Sequence, residues 1–181
     1  MYYGALEAGG TKMVCAIGDA DKNIIDRISI PTGTPDQSVP AMIDYFKKYD
    51  ISALGIGTFG PADINPNSPT YGSIMRSPKK AWEGFSLYKA FTDALGCLVV
   101  VDTDVNAAAW GEYLYGALKG LNSGMYLTVG TGIGGGIISD GRLIHGMEHP
   151  ETGHILIPRR TGDDIPVSYT HLRAHETPEH L

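Results

Sequence analysis

Tyr2-Tyr3-Gly4-Ala5-Leu6-Glu7-Ala8-Gly9-Gly10-Thr11-Lys12-Met13-Val14-Cys15-Ala16-Ile17 opens the chain, and its punctuation decides the fold. Residues 2–7 read as a strand that stops at Gly9-Gly10. Residues 13–17 read as a second strand and residues 23–30 as a third, with turn-forming Asp, Gly and Lys between them. The chain therefore begins as an antiparallel meander. The period then changes. Thr34-Pro35-Asp36 reads as a helix start, and Val39, Met42, Ile43 and Phe46 follow at one-face helical spacing, with Pro40 expected in the first turn. A short buried strand at 53–57 runs into Thr58-Phe59-Gly60-Pro61, and residues 65–69 form an Asn/Ser/Pro loop. A helix at 87–95 precedes a strongly apolar strand at 97–102, of the kind expected in the middle of a sheet. A helix rich in small residues covers 104–118. Strands at 124–129 and 133–139 surround a glycine cluster, and Asp140-Gly141 is a hairpin signal. Three antiparallel strands followed by helix–strand alternation predict an α/β fold with a mixed sheet.

Three segments carry chemistry. Glu7-Ala8-Gly9-Gly10-Thr11-Lys12 joins two strands by a turn that lets backbone N–H groups converge on a phosphate. It is not a Walker loop, which would open a helix. Glu7 at the strand end is placed to hold Mg²⁺ through water; the alternative is an ordinary Gly-Gly hairpin. Gly130-Thr131-Gly132-Ile133-Gly134-Gly135-Gly136 satisfies a dinucleotide fingerprint by spacing. It continues as strand rather than helix, so a second phosphate clamp at Gly130, Thr131 and Gly132 is expected instead. Asp102-Thr103-Asp104-Val105-Asn106 lies where a buried strand turns into a helix, at the strand end where open α/β sheets bind ligands. A carboxylate there can take a proton from an attacking hydroxyl. Asp104 is the first candidate, with a helix N-cap as its alternative role; Asp102 is the competing base. Ala107, Ala108, Ala109 and Gly111 read as packing. His145, His149, Glu151 and His154 hint at metal, but Gly146 and Pro150 break the helix that a zinc-protease pair would need.

Composition narrows the classes. The 181 residues are 43% hydrophobic and 19% charged with a net charge of −6, as in ordinary globular proteins. No Lys/Arg cluster points to nucleic acid. An acidic chain still binds nucleotide phosphates through backbone N–H groups and Mg²⁺. Cys15 and Cys97 sit in apolar runs and read as buried free thiols. No signal peptide and no run of ~20 apolar residues is visible, so a cytoplasmic protein that does not enter membranes is expected.

In this order the motifs resemble the ROK family of sugar kinases and sugar-responsive repressors, over about residues 2–165. The resemblance implies the actin-like (ribonuclease H-like) two-domain ATPase fold. It divides the chain into an N-terminal kinase domain at 2–117 and the start of a second at 118–166. It implies that Gly9, Gly10, Thr11 and Lys12, with Gly130, Thr131 and Gly132, cradle the phosphates of ATP. Glu7 stands where most members carry Asp. By the same resemblance Asp104 is the base, and Asn106, Glu151 and His154 grip the sugar. His154 is also the first ligand of a structural zinc whose other ligands would follow. Gly57 to Pro61, Tyr71-Gly72, Ser77-Pro78-Lys79 and Trp82 resemble the fructokinase branch. The expected activity is ATP- and Mg²⁺-dependent phosphorylation of a hexose, fructose first and glucose or an N-acetylated hexosamine second, by a homodimeric full-length protein. A repressor is disfavoured because only six residues precede Glu7. Residues 167–181, with His171, His175 and His180, lack any period. The run from Ser168 to Thr177 resembles a translated sequencing adapter rather than evolved sequence. The chain is therefore expected to be a truncated, inactive piece of the enzyme.

Overall fold

The computed structural model describes residues 1–130, 132–145 and 152–154. Strands β1 (Tyr2–Ala8), β2 (Lys12–Asp19), β3 (Ile24–Pro31), β4 (Ile51–Thr58) and β5 (Leu98–Thr103) form one sheet in the order β3-β2-β1-β4-β5. The meander β1-β2-β3 is antiparallel, while β1, β4 and β5 run parallel. The mixed α/β architecture predicted from the sequence is therefore present. Helices α1 (Pro35–Phe46) and α2 (Leu87–Leu95) pack together on one face. Helix α3 (Asp104–Tyr115) leads to a second, three-stranded sheet of β6 (Gly124–Val129), β7 (Ile133–Ser139) and β8 (Arg142–Leu143).

Alternation explains which face is covered. In β1, Gly4, Leu6 and Ala8 point inward, joined by Met13, Cys15 and Ile17 of β2 and by Leu54 and Ile56 of β4. Met42, Tyr45 and Phe46 of α1 and Leu87 and Phe91 of α2 close this core, with Phe46 edge-on to Phe91. Gly4 is small for a reason: a Cβ there would stand 2.9 Å from Leu54 Cδ1.

Two expectations are corrected. Pro40 lies inside α1, not in its first turn. Gln37 Oε1 accepts the Thr34 N–H at 3.2 Å and Pro35 opens the helix, fixing the start five residues before Pro40. Pro40 is exposed, as is Asp36, whose carbonyl loses its intrahelical donor, so water can satisfy it. Strand β5 is the edge of its sheet among the described residues, not its middle. Its apolar run splits by face: Val99 and Val101 are buried, whereas Leu98 and Val100 are exposed. The Tyr71 hydroxyl accepts the Val101 N–H at 2.8 Å and donates to the Val101 carbonyl at 3.0 Å, capping the open edge. Helix α3 also ends earlier than predicted, at Tyr115. The Glu112 carboxylate turns back to accept the Ala117 N–H at 2.7 Å, and the chain turns at Gly116.

Candidate functional site

Because β1, β4 and β5 are parallel, their carboxyl ends share one edge. Pairing sets Glu7 beside Gly57 and Gly57 beside Asp102, a row across three strands on the face away from α1 and α2. Gly57 is the gap in that row. A Cβ on it would lie 3.0 Å from Ala107 Cβ and 3.3 Å from Asp104 Cα. The first turn of α3 therefore nests between the two flanking carboxylates. Together with Val105, Ala108, Trp110, Tyr126 and Thr128, these residues line a cavity of about 740 Å³ between the two sheets. Three acidic residues, Glu7, Asp102 and Asp104, line it.

The two strand-end aspartates differ. Asp102 is fully engaged: Oδ1 accepts the Thr103 N–H and Asn106 Nδ2, each at 2.7 Å, and Oδ2 lies 2.7 Å from His145 Nε2. Asp104 Oδ1 accepts the Val105 N–H at 2.9 Å. The cap of α3 is Thr103, whose hydroxyl accepts the Asn106 N–H at 3.2 Å, so Asp104 is not the N-cap residue. Asn106 is buried, 0% exposed, and its Oδ1 has no hydrogen-bond partner among the described residues. An orphaned acceptor of this kind is unusual and suits a ligand hydroxyl or an ordered water.

The first glycine turn is built as predicted. The Gly9 N–H donates to the Lys12 carbonyl at 3.0 Å, and a Cβ on Gly9 would meet that oxygen at 2.6 Å. Only glycine closes this turn, and its side-chain-free surface suits a phosphate cradle around Gly10, Thr11 and Lys12. Thr32 fastens it from behind, donating Oγ1 to the Gly9 carbonyl at 2.8 Å and its N–H to the Thr11 carbonyl at 3.0 Å.

The second glycine cluster divides in two. Gly134 and Gly136 are β7 residues facing α3. A Cβ on Gly136 would meet the Val105 carbonyl at 2.3 Å, and one on Gly134 would meet Val105 Cγ1 at 3.0 Å. These are packing glycines. Gly130 and Gly132 sit in the turn before β7 with nothing near their missing side chains among the described residues, the Gly130 N–H donating to the Gly132 carbonyl at 2.9 Å. Thr131, Glu151 and the His154 side chain lie outside the described residues, as do residues 167–181. Among the described residues no three His, Cys, Asp or Glu groups stand close enough to hold a metal ion. His145, one of the four residues that hinted at metal, instead partners Asp102. Nothing in the linear sequence signals that pairing across 43 positions.

A sequence profile described as "ROK family" matches residues 3–167. A Bacillus subtilis (strain 168) protein provisionally named a fructokinase is 49% identical over 162 residues, covering 90% of this chain and 54% of that protein. A fructokinase of Pediococcus pentosaceus is 43% identical over 165 residues, 91% of this chain and 57% of the relative. Among solved structures, a ROK family glucokinase from Streptomyces griseus in complex with glucose and AMPPNP superimposes with a TM-score of 0.74 at 31% identity, covering 87% of this chain and 51% of that one. The chain thus spans about half the length of the curated relatives it matches.

Proposed function

The chain belongs to the ROK family, and from that premise we propose that the protein containing it transfers the γ-phosphoryl group of MgATP to the 6-hydroxyl of a hexose, D-fructose, giving fructose 6-phosphate. The observation that carries the reading is the strand-end row. Glu7, Asp102 and Asp104 line one cavity at the carboxyl ends of the parallel strands. Phosphoryl transfer asks a protein mainly to position reactants and neutralise charge. In this reading Asp104 removes the proton from the attacking hydroxyl. Asn106 contributes to the sugar the carbonyl oxygen that has no partner among the described residues. Gly9 to Lys12 and Gly130 to Gly132 hold the phosphates from two sides. Mg²⁺ neutralises phosphate charge when bound, and Glu7 on the cavity wall suits an approach through water. Glu151 and His154 complete the sugar grip, and His154 begins the zinc site in the full-length protein. Residues 2–117 and 118–166 are then parts of two kinase domains, and the whole protein is a cytoplasmic homodimer. No helix among the described residues is long and apolar enough to cross a membrane.

Fructose is preferred because the two relatives named as fructokinases are 43% and 49% identical, against 31% for the glucokinase structure. Glucose and N-acetylated hexosamines are the alternatives. The test is a panel of these sugars with the full-length protein, scoring ATP-dependent phosphate transfer; fastest turnover on glucose would reassign the substrate. In the same assay Asp104→Asn is expected to lose at least ~10²-fold in kcat. Near-normal turnover would remove Asp104 from the role of base.

A further inference from the structure

Lys79 stands out because its position is built while its charge has no carboxylate partner among the described residues. Its stem lies on the glycine turn: Lys79 Cε would sit 3.5 Å from a Cβ on Gly10, ordinary van der Waals contact. The backbone that delivers it is held at several points. The buried Ser77 hydroxyl accepts the Lys79 N–H at 3.2 Å, and the Trp82 N–H donates to the Lys79 carbonyl at 2.9 Å. Trp82 is buried against Phe59 and Phe85, and its indole N–H donates to the Gly33 carbonyl at 2.9 Å. Thr32, the residue before Gly33, is the one that clamps the Gly9–Lys12 turn. The Lys79 segment and the glycine turn are thus fastened to two adjacent residues, Gly33 and Thr32 respectively, which fixes one relative to the other.

The charges tell the same story. Lys80 pairs with Glu83 at 3.0 Å and Lys89 with Asp93 at 2.7 Å. Among the described residues neither Lys79 nor Lys12 has a carboxylate partner. A lysine stem held against a side-chain-free glycine turn, its ammonium without a carboxylate partner among the described residues, suits a polyanion.

We propose that Lys79 is a further phosphate-contacting residue, which closes over the Gly9–Lys12 turn and binds the triphosphate of ATP from the side opposite the backbone donors. The proposal rests on the kinase reading of the cavity. A charge-assisted hydrogen bond of this kind predicts that Lys79→Met in the full-length protein lowers kcat/KM for ATP about 10- to 100-fold. Lys79→Arg should restore most of it, and the hexose KM at saturating ATP should stay unchanged. A Lys79→Met value within about two-fold of the unmutated protein overturns the proposal, as does a loss that Arg fails to rescue or one confined to the hexose KM. If the unmutated protein phosphorylates no hexose, the proposed function fails. Lys79 is then judged by ATP binding in calorimetry, where equal affinity of Lys79→Met overturns it and weaker binding supports it. An arm without substitutions guards against misfolded variants. On the unmutated protein ATP should slow acetylation of Lys79 and not of Lys80, and equal slowing or none overturns the proposal.

Discussion

Asp102 and Asp104 are two residues apart and chemically identical, yet their hydrogen-bond partners differ. Asp102 is the acceptor that satisfies the buried Asn106 amide and tethers His145. Asp102→Ala is therefore expected to cost ~1–3 kcal/mol of stability by leaving the Asn106 Nδ2 group unpaired in the interior. Urea unfolding would show this, and an unchanged midpoint would mean that the amide finds another partner. Cys15 gives a second prediction at this scale. It is buried in β2, and that burial pushes its thiol up to about 12. Its folded value lies above its unfolded one, so this contribution to stability is complete below the ordinary thiol range and declines as pH rises toward 12. At pH 8 Cys15 should resist a thiol-reactive disulfide reagent until the protein is unfolded. Labelling of native Cys15 at the rate of a free thiol would contradict its burial.

Helix α3 shows why its first half carries the small residues Ala107 to Ala109. One side lies against β4, where Ala107 meets Gly57, and another against β7, where Val105 and Ala109 meet Gly136. Reading Ala107 and Ala109 as packing is upheld, whereas Ala108 lines the cavity and Gly111 is exposed with no neighbour at its missing side chain among the described residues; the glycines that receive Ala107 and Ala109 are visible only once the strands are placed. Gly136→Ala puts a methyl group into the Val105 carbonyl and Ala109 Cβ, so helix and strand must separate. The expected loss is ~1–3 kcal/mol, the usual cost of overpacking. Gly130→Ala, whose missing side chain has no neighbour among the described residues, serves as the control. Equal unfolding midpoints for the two variants would refute the division of the cluster into packing and phosphate glycines.

At the scale of the whole molecule, the chain covers 54% and 57% of the two curated relatives, and the small sheet exposes Met125, Leu127 and Val129 along β6. Little or no ATP-dependent fructose phosphorylation is expected from these 181 residues, because they span only about half the length of the fructokinase-named relatives they match. Turnover comparable to a full-length counterpart would show that the half site suffices. Much of the fold was legible beforehand because its signals are local. Gly9-Gly10 breaks a strand, the Val39 to Phe46 spacing marks a helical face, and Asp102-Thr103-Asp104 announces a strand end. The sequence by itself thus determined the order and type of the main elements, the glycine turn and the candidate carboxylates. Only the tertiary structure decided that β5 forms an edge, that Gly57 makes room for α3, that His145 reaches Asp102 and that Lys79 lies on Gly10. The physical reason is that burial period and turn chemistry act over a few residues. Those four facts instead depend on which segments, up to 69 positions apart in the case of Gly10 and Lys79, share the same few ångströms of space.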